Sequence, residues 1–470
     1  MVDHKDGWRV FIENREGVIA ALERGECDGI LPAARGFLDG FAGFLLEAGL
    51  LDLLARFPDG RQRRSIPIFF FCHTLIYRPL FGLKRLAPIE RTLFRSPYIL
   101  RQLGFNALQI DHGFYETPAG QHPFTAGAIA ECFAEVEAAD FLTHQKQLLV
   151  QMVAHCPGQF LSGLWVMDSL TVVVPKGAHT DAFSFKACIL GVWQDEVVWP
   201  VLWALVPEHQ NDCVVGQNLF AAAEEVLGRG FIRHLLVDRG FLDGVWITQL
   251  YQHGTRVTLG VRRDMRILEE MLNLSRLKDT VWERAEPPKL HQTPLPERYV
   301  TGFTHLQGEW INCQAPLSGC LIRDVYPDEV VYQGLVTTAP TIQPTEIQGD
   351  ARQRWTLEEV FMTLTRYWQF DDLPPCREGV AYAMFHFALV AFTLLGLYLQ
   401  ETHTETPLER LLTAPPPFPL PEREIAVYAG AYFTLLRPSE LVEIILTHMD
   451  AWQANQDRLL MALRLCEGKT

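Results

Sequence analysis

The sequence predicts an α/β protein: a mixed β-sheet with helices on its faces, a β-rich insertion before the last core helices, and a helical N-terminal domain. Three observations point there. The runs "GLWVMDSLTVVVP", "FKACILGVW" and "EVVWPVLWALVP" are rich in β-branched and aromatic residues and follow one another with short turns, an antiparallel meander. Helix-type and strand-type runs then alternate: "GQNLFAAAEEVLGRG", "FIRHLLVD", "GVWITQLYQHG" and "RVTLGV". The first 155 residues instead carry apolar residues at helical spacing, as in "ARGFLDGFAGFLLEAGLLDLLARF".

With 470 residues, the chain has room for two or three domains with filled cores. Apolar residues make up 48% and charged ones 21%, a globular balance rather than a disordered one. A net charge of -15 argues against coating nucleic acid by bulk attraction, but binding follows the distribution of charge rather than its total. Ten cysteines occur singly with no CxxC pair, which gives neither a zinc site nor a disulfide framework and fits a reducing cytoplasm. "MVDHKDGWRV" lacks the basic-then-apolar layout of a secretory signal. The uncharged run at 380–399, "VAYAMFHFALVAFTLLGLYL", has the length to span a bilayer. It contains His386, is rich in Ala and Gly, and lacks flanking Lys or Arg clusters, so a buried core helix is expected and no membrane partner.

In chain order, the expected division is a helical N-terminal domain over 1–155 and the first part of the mixed-sheet core over 156–262. A β-rich insertion over 263–345, the last core helices over 346–400 and a helical tail over 401–470 follow. The N-terminal domain holds the most basic stretch: Arg61, Arg63, Arg64, Arg78, Lys84, Arg85, Arg91, Arg95 and Arg101, with Glu90 as its one acid. Solvated helix faces and a surface for nucleic-acid phosphates both fit it.

Three acids carry the chemistry. Asp168 interrupts the apolar first strand of the meander, where a charge costs several kcal/mol (an order-of-magnitude figure) unless compensated. Asp238 ends "HLLVD"; alone it reads as a turn or helix cap. The first and fourth strands of such a sheet are natural central neighbours, so the two aspartates would lie side by side. They would then repel, so either one stays protonated or a divalent cation sits between them. Glu358, in "RQRWTLEEVF", lies at the edge of the helical stripe Leu357, Val360, Phe361 and Leu364, one turn after Arg354. As an exposed i,i+4 pair, Arg354 and Glu358 would contribute a few tenths of a kcal/mol, about 0.3–0.5. As a third hard oxygen donor, Glu358 would complete a shell for Mg²⁺ or Mn²⁺ with positions left for substrate phosphate. Two such ions suit phosphodiester chemistry.

"VMDSLTV", "LLVDRGFLDG" and "RWTLEEVFMTL" resemble, in that order, the three acidic motifs of insertion-sequence (IS4-like) DDE transposases. The resemblance covers about residues 160–400. It implies the RNase H-like core of the retroviral integrase superfamily, with the run at 380–399 as its last core helix. It also implies a DNA transposase that cuts transposon ends and transfers the 3′-hydroxyl into target DNA, using two Mg²⁺ (or Mn²⁺) ions on Asp168, Asp238 and Glu358. Double-stranded DNA is the implied partner, with a homodimer when DNA is bound and a nucleoid-associated location in a prokaryote. The third motif carries Arg354, Trp355, Leu357, Glu358 and Phe361 at the family's spacing. It departs from the YREK signature, with Ala351 and Thr365 where that signature has Tyr and Lys. A transposase-derived DNA-binding protein that no longer transposes is the alternative.

Further DNA contacts are expected from Arg354, from Arg239 beside Asp238, and from Arg262 and Arg263 after the fifth strand. Arg63, Arg64, Lys84 and Arg85 are expected to contribute from the basic stretch. His179, Asp181 and Lys186 read mainly as a polar turn, Trp246, Trp310 and Trp355 as core or interface residues, and His386 as a core histidine.

Overall fold

Residues 12–35, 37–61, 66–105, 109–110, 123–194, 197–287, 295–368, 373–402, 422–453 and 456–467 are described by a computed structural model. The chain divides into two units. One comprises Met1–Asp140, Gly177–Thr180 and Tyr367–Thr470; the other comprises Phe141–Lys176 and Asp181–Arg366.

The first unit is not purely helical at either end of the chain, contrary to expectation. Strands β1 (Ile12–Glu13) and β2 (Gly29–Arg35) join β12 (Glu422–Ala429) and β13 (Tyr432–Leu436) in a four-stranded sheet ordered β1-β13-β12-β2. The β12–β13 hairpin turns at Gly430, whose φ of 60° lies in the left-handed region that glycine enters without penalty. Its apolar side chains pack with the helix Arg15–Glu23 in a cluster holding Val18, Leu22, Ile30, Val427, Leu436 and Trp452. The Trp452 indole N–H donates to the Leu22 carbonyl at 2.9 Å. The uncharged run forms the helix Glu378–Glu401, long and apolar enough to cross a membrane but buried throughout its apolar window. It lies in this unit with the N-terminal helices, not with the large sheet as the resemblance implies. His386 is a core residue, its ring edge-on to Phe387.

Among the described residues, the strands of the second unit form one sheet of nine. The meander gives β3 (Leu164–Val174), β4 (Phe183–Gln194) and β5 (Val197–Pro207); β6 (His234–Val237) and β7 (Arg256–Gly260) follow. The insertion supplies β8 (Glu283–Ala285), β9 (Glu297–Phe303), β10 (Ser318–Val325) and β11 (Val330–Thr337). The order is β5-β4-β3-β6-β7-β11-β10-β9-β8, with β3–β6 and β6–β7 parallel and the other neighbours antiparallel. The insertion's strands therefore extend the core sheet through the β7–β11 pairing instead of forming a sheet of their own.

Helices cover this sheet on both sides. Asp212–Leu227 meets the face carrying Met167 and Ser169. A Cβ on its Gly216 would come within 2.7 Å of Phe241 and 3.0 Å of the Met167 sulfur, so only glycine allows this approach. The helix Pro344–Trp368 meets the opposite face, which carries Asp168. Its stripe Leu357, Val360 and Leu364 is buried, as the spacing predicts.

Candidate functional site

The register of β3 against β6 sets the two aspartates. The parallel pairs run Leu164 with His234, Trp165 with Leu235, Val166 with Leu236 and Met167 with Val237. Asp168 is the next residue on β3, and Asp238, in extended backbone, is the residue that follows β6. Strands in one sheet lie about 4.8 Å apart, and residues at the same level point to the same face. The two carboxylates are thus neighbours on the face that Pro344–Trp368 covers. Asp238 opens the short turn Arg239–Phe241, but its side chain makes no capping hydrogen bond there. The helix that follows is capped by Asp243, which accepts from the N–H groups of Val245 and Trp246. The capping role expected of an acid in this loop thus falls to Asp243, leaving the Asp238 carboxylate for another use.

Glu358 reaches the pair through Arg354. One guanidinium nitrogen donates to Asp168 Oδ2 at 3.0 Å and the other to Glu358 Oε1 at 2.7 Å. The i,i+4 reading of Arg354 and Glu358 is therefore present. They form an i,i+4 pair, and that pair sits on the core aspartate rather than at the free surface. The two carboxylates lie within roughly 8 Å of each other, the span of a planar guanidinium and its two hydrogen bonds.

Burial pushes the Asp168 carboxyl up to about 6. The Arg354 guanidinium and the Ser169 N–H (2.8 Å from Asp168 Oδ1) oppose that rise, while Asp238 and Glu358 add to it by like-charge repulsion. The site thus has three acids and one internal cation. Because the native carboxyl holds its proton to higher pH than the unfolded one, Asp168 destabilises the fold progressively as pH rises from about 4 to about 6. Asp168→Asn removes that titration. We expect its unfolding free energy relative to wild type to shift in the variant's favour across this window by up to about 3 kcal/mol, read from urea unfolding at a series of pH values without metal. A constant difference would contradict the burial of this charge.

On the other face, next to Asp168 in sequence, lies a second polar group that sequence reading overlooked. The Ser169 hydroxyl and the Lys186 ammonium both donate to Asp212 Oδ1 at 2.9 Å, and Lys186 also donates to the Gln210 carbonyl. Lys186 is thereby held inside the unit, more than a turn residue, while His179 and Asp181 are exposed. The one signal Asp212 gives in the sequence is that of an acid opening a helix, which usually means only a favourable helix-end charge.

The expected DNA-contacting residues fare unevenly. Arg239, Arg262 and Arg263 are exposed, and Arg262 acts electrostatically on Cys213, whose thiol donates to the Gly240 carbonyl in the turn after Asp238. Lys84, Arg85, Arg91 and Arg95 are exposed in the first unit, while Arg63 and Arg64 lie outside the described residues. The basic stretch is less of a surface than its composition suggested. Arg78 donates to the Leu83, Lys84 and Met384 carbonyls, Arg101 pairs with Asp39 at 2.7 Å, and Arg61 pairs with Asp59 at 2.6 Å. Trp246 is buried as expected, Trp310 is half-buried and Trp355 is exposed.

No protein-family model matches the chain, and no curated protein matches it. Among solved structures it is similar to the cryo-EM structure of a piggyBac transposase synaptic complex with hairpin DNA. That likeness has 10% sequence identity and a TM-score of 0.42, and covers 82% of this chain and 82% of that one.

Proposed function

We propose that the protein is a DDE-type DNA transposase, performing metal-dependent phosphodiester cleavage at transposon ends and transfer of the freed 3′-hydroxyl into target DNA. One observation carries the reading. An aspartate in the middle of the first strand and an aspartate at the end of the fourth stand at one level of the sheet, and a helix-borne glutamate is brought to them. The strand order 3-2-1-4-5 of β3 to β7, with the first three antiparallel and the last two parallel to the first, is the arrangement expected of an RNase H-like core. The hydrogen bonds of Arg354 to Asp168 and Glu358 support placing the third acidic motif beside the first.

The donor set fits Mg²⁺ or Mn²⁺, two per site: three carboxylates, all hard oxygen ligands, with a guanidinium marking where positive charge is favoured. Divalent ions held by Asp168, Asp238 and Glu358 would supply Lewis-acid activation of the attacking oxygen and stabilisation of the departing one. The chain supplies the rest. The neighbouring strands fix the backbone positions of the two aspartates, and the helix delivers Glu358. Arg354 neutralises the carboxylates until substrate arrives, and its fork then suits a phosphate. Arg239, Arg262 and Arg263 offer further backbone contacts.

The test is Mg²⁺-dependent nicking of duplex DNA carrying the genomic flanks of the coding sequence. We expect strand breaks with 3′-hydroxyl ends that EDTA abolishes; DNA bound but never cut with Mg²⁺ or Mn²⁺ would contradict the reading. The bridging position of Arg354 favours one alternative, a transposase-derived DNA-binding protein in which the guanidinium permanently replaces the ions.

A further inference from the structure

A buried polar network lies one helical turn before Arg354 and takes no part in the chemistry above. Asp350 is 7% exposed, Thr258 3% and Thr337 0%. Arg256 donates to His234 Nδ1 at 2.8 Å, which leaves the proton of the neutral ring on Nε2. That Nε2 lies 2.9 Å from the Thr258 hydroxyl, which in turn is 2.9 Å from both Asp350 Oδ2 and the Thr337 hydroxyl. With His234 donating to Thr258 and Thr258 donating to Asp350, donors run in one direction and end on a carboxylate. His234 Nε2 and Arg256 also approach Asp350 Oδ2, at 3.4 and 3.5 Å, so this one carboxylate ties the helix to both β6 and β7.

Its place in the fold gives it a consequence. His234 is the first residue of β6, and Asp238, just past its last residue, lies four positions on from His234, about 13 Å along the chain. Asp350 lies on the helix eight residues before Glu358, about 12 Å along the axis. The helix is thus pinned to the sheet at two levels of matching separation. At the foot of β6, Asp350 meets His234 and Thr258; at its head, Arg354 meets Asp168 and holds Glu358. A slip of the helix by one residue would rotate Glu358 by about 100° away from the aspartates.

We infer that Asp350 is a positioning residue: with Thr258 and His234 it registers the helix Pro344–Trp368 against β6 and β7, so that Glu358 arrives at the level of Asp168 and Asp238. The role of the destination rests on the proposed function; the registration itself does not. The full chain is compared as wild type, Asp350→Ala, Asp350→Asn and Glu358→Gln, together with Asp350→Ala/Glu358→Gln. Metal-free hydrogen exchange read by mass spectrometry follows the amides of 351–364 and of the sheet, and Mn²⁺ affinity is read by electron paramagnetic resonance.

In Asp350→Ala, the amides of 351–364 are expected to lose at least roughly tenfold in protection while β3 to β5 keep theirs. Mn²⁺ binding should weaken by at least roughly tenfold in the wild-type background and by less than about twofold when Glu358 is already Gln, the non-additivity of two residues acting through one placement. Asp350→Asn, which keeps an acceptor oxygen for Thr258, should restore both. A folded Asp350→Ala with unchanged helix protection, or with the same Mn²⁺ loss in both backgrounds, would overturn the assignment. Where wild type binds no Mn²⁺, the metal-site reading fails and the exchange result alone decides the anchor. Should Asp350→Ala not fold, Thr258→Val removes the hydroxyl link at nearly constant shape, and retained helix protection in it would equally overturn the proposal.

Discussion

Asp238→Asn is expected to reduce Mg²⁺-dependent nicking by at least about a thousandfold, some 4 kcal/mol in the barrier, while leaving DNA binding and fold stability nearly unchanged. The substitution preserves shape and removes the charge. Because the Asp238 side chain caps nothing in the turn it opens, little structural cost is expected. The same residue read as a turn acid predicts the reverse pattern, a loss of stability of about 0.5–2 kcal/mol with activity per folded molecule intact. Nicking and urea unfolding measured on one preparation separate the two. An Asp238→Asn protein that cuts at more than about a tenth of the wild-type rate would remove this carboxylate from the chemistry.

Arg354→Gln is expected to raise Mn²⁺ affinity in the absence of DNA, by about tenfold or more. The guanidinium lies 3.0 Å from Asp168 and 2.7 Å from Glu358, so a divalent ion using those oxygens competes with it. Removing it also removes the influence that most strongly holds down the Asp168 carboxyl. Protons then compete with metal to higher pH, and the comparison belongs at about pH 8, well above the value of about 6 for Asp168. Weaker Mn²⁺ binding by the variant would mean that Arg354 holds the carboxylates in place for the ion instead of standing in its way. The contrast also bears on the alternative function, since a permanently seated guanidinium predicts no Mn²⁺ binding in wild type and binding in Arg354→Gln.

Much of the second unit was legible in the sequence because its signals are local. β3, β4 and β5 are long β-branched runs, the alternation of helix and strand follows, and a charged residue in the apolar run "LWVMDSLTVVV" has to be compensated by something distant. The pairing of β3 with β6 was inferred from strand order alone, and the register bears it out. The four-stranded sheet of the first unit was not legible. β1 has two residues, and its partner β13 lies some four hundred positions away, so no local pattern announces the pairing. Charge counting misled over 61–101, where Arg61, Arg78 and Arg101 neutralise acids or bind carbonyls inside the fold. Composition cannot distinguish an arginine facing solvent from one whose fork is fully used. Asp350 and Asp212 escaped notice for a related reason. Each lies on a helix, where acids are common, and its meaning comes from hydroxyls on strands far off in sequence.

Asp168, Asp238 and Glu358 are proposed to hold divalent ions together. Crystals of the full chain soaked in Mn²⁺, with anomalous scattering recorded at the manganese edge, test it most directly. The account predicts anomalous peaks with oxygens of all three carboxylates at about 2.1–2.2 Å and the Arg354 guanidinium displaced from Asp168. Fully soaked crystals with no peak at these residues, and with Arg354 still bridging Asp168 and Glu358, would contradict it.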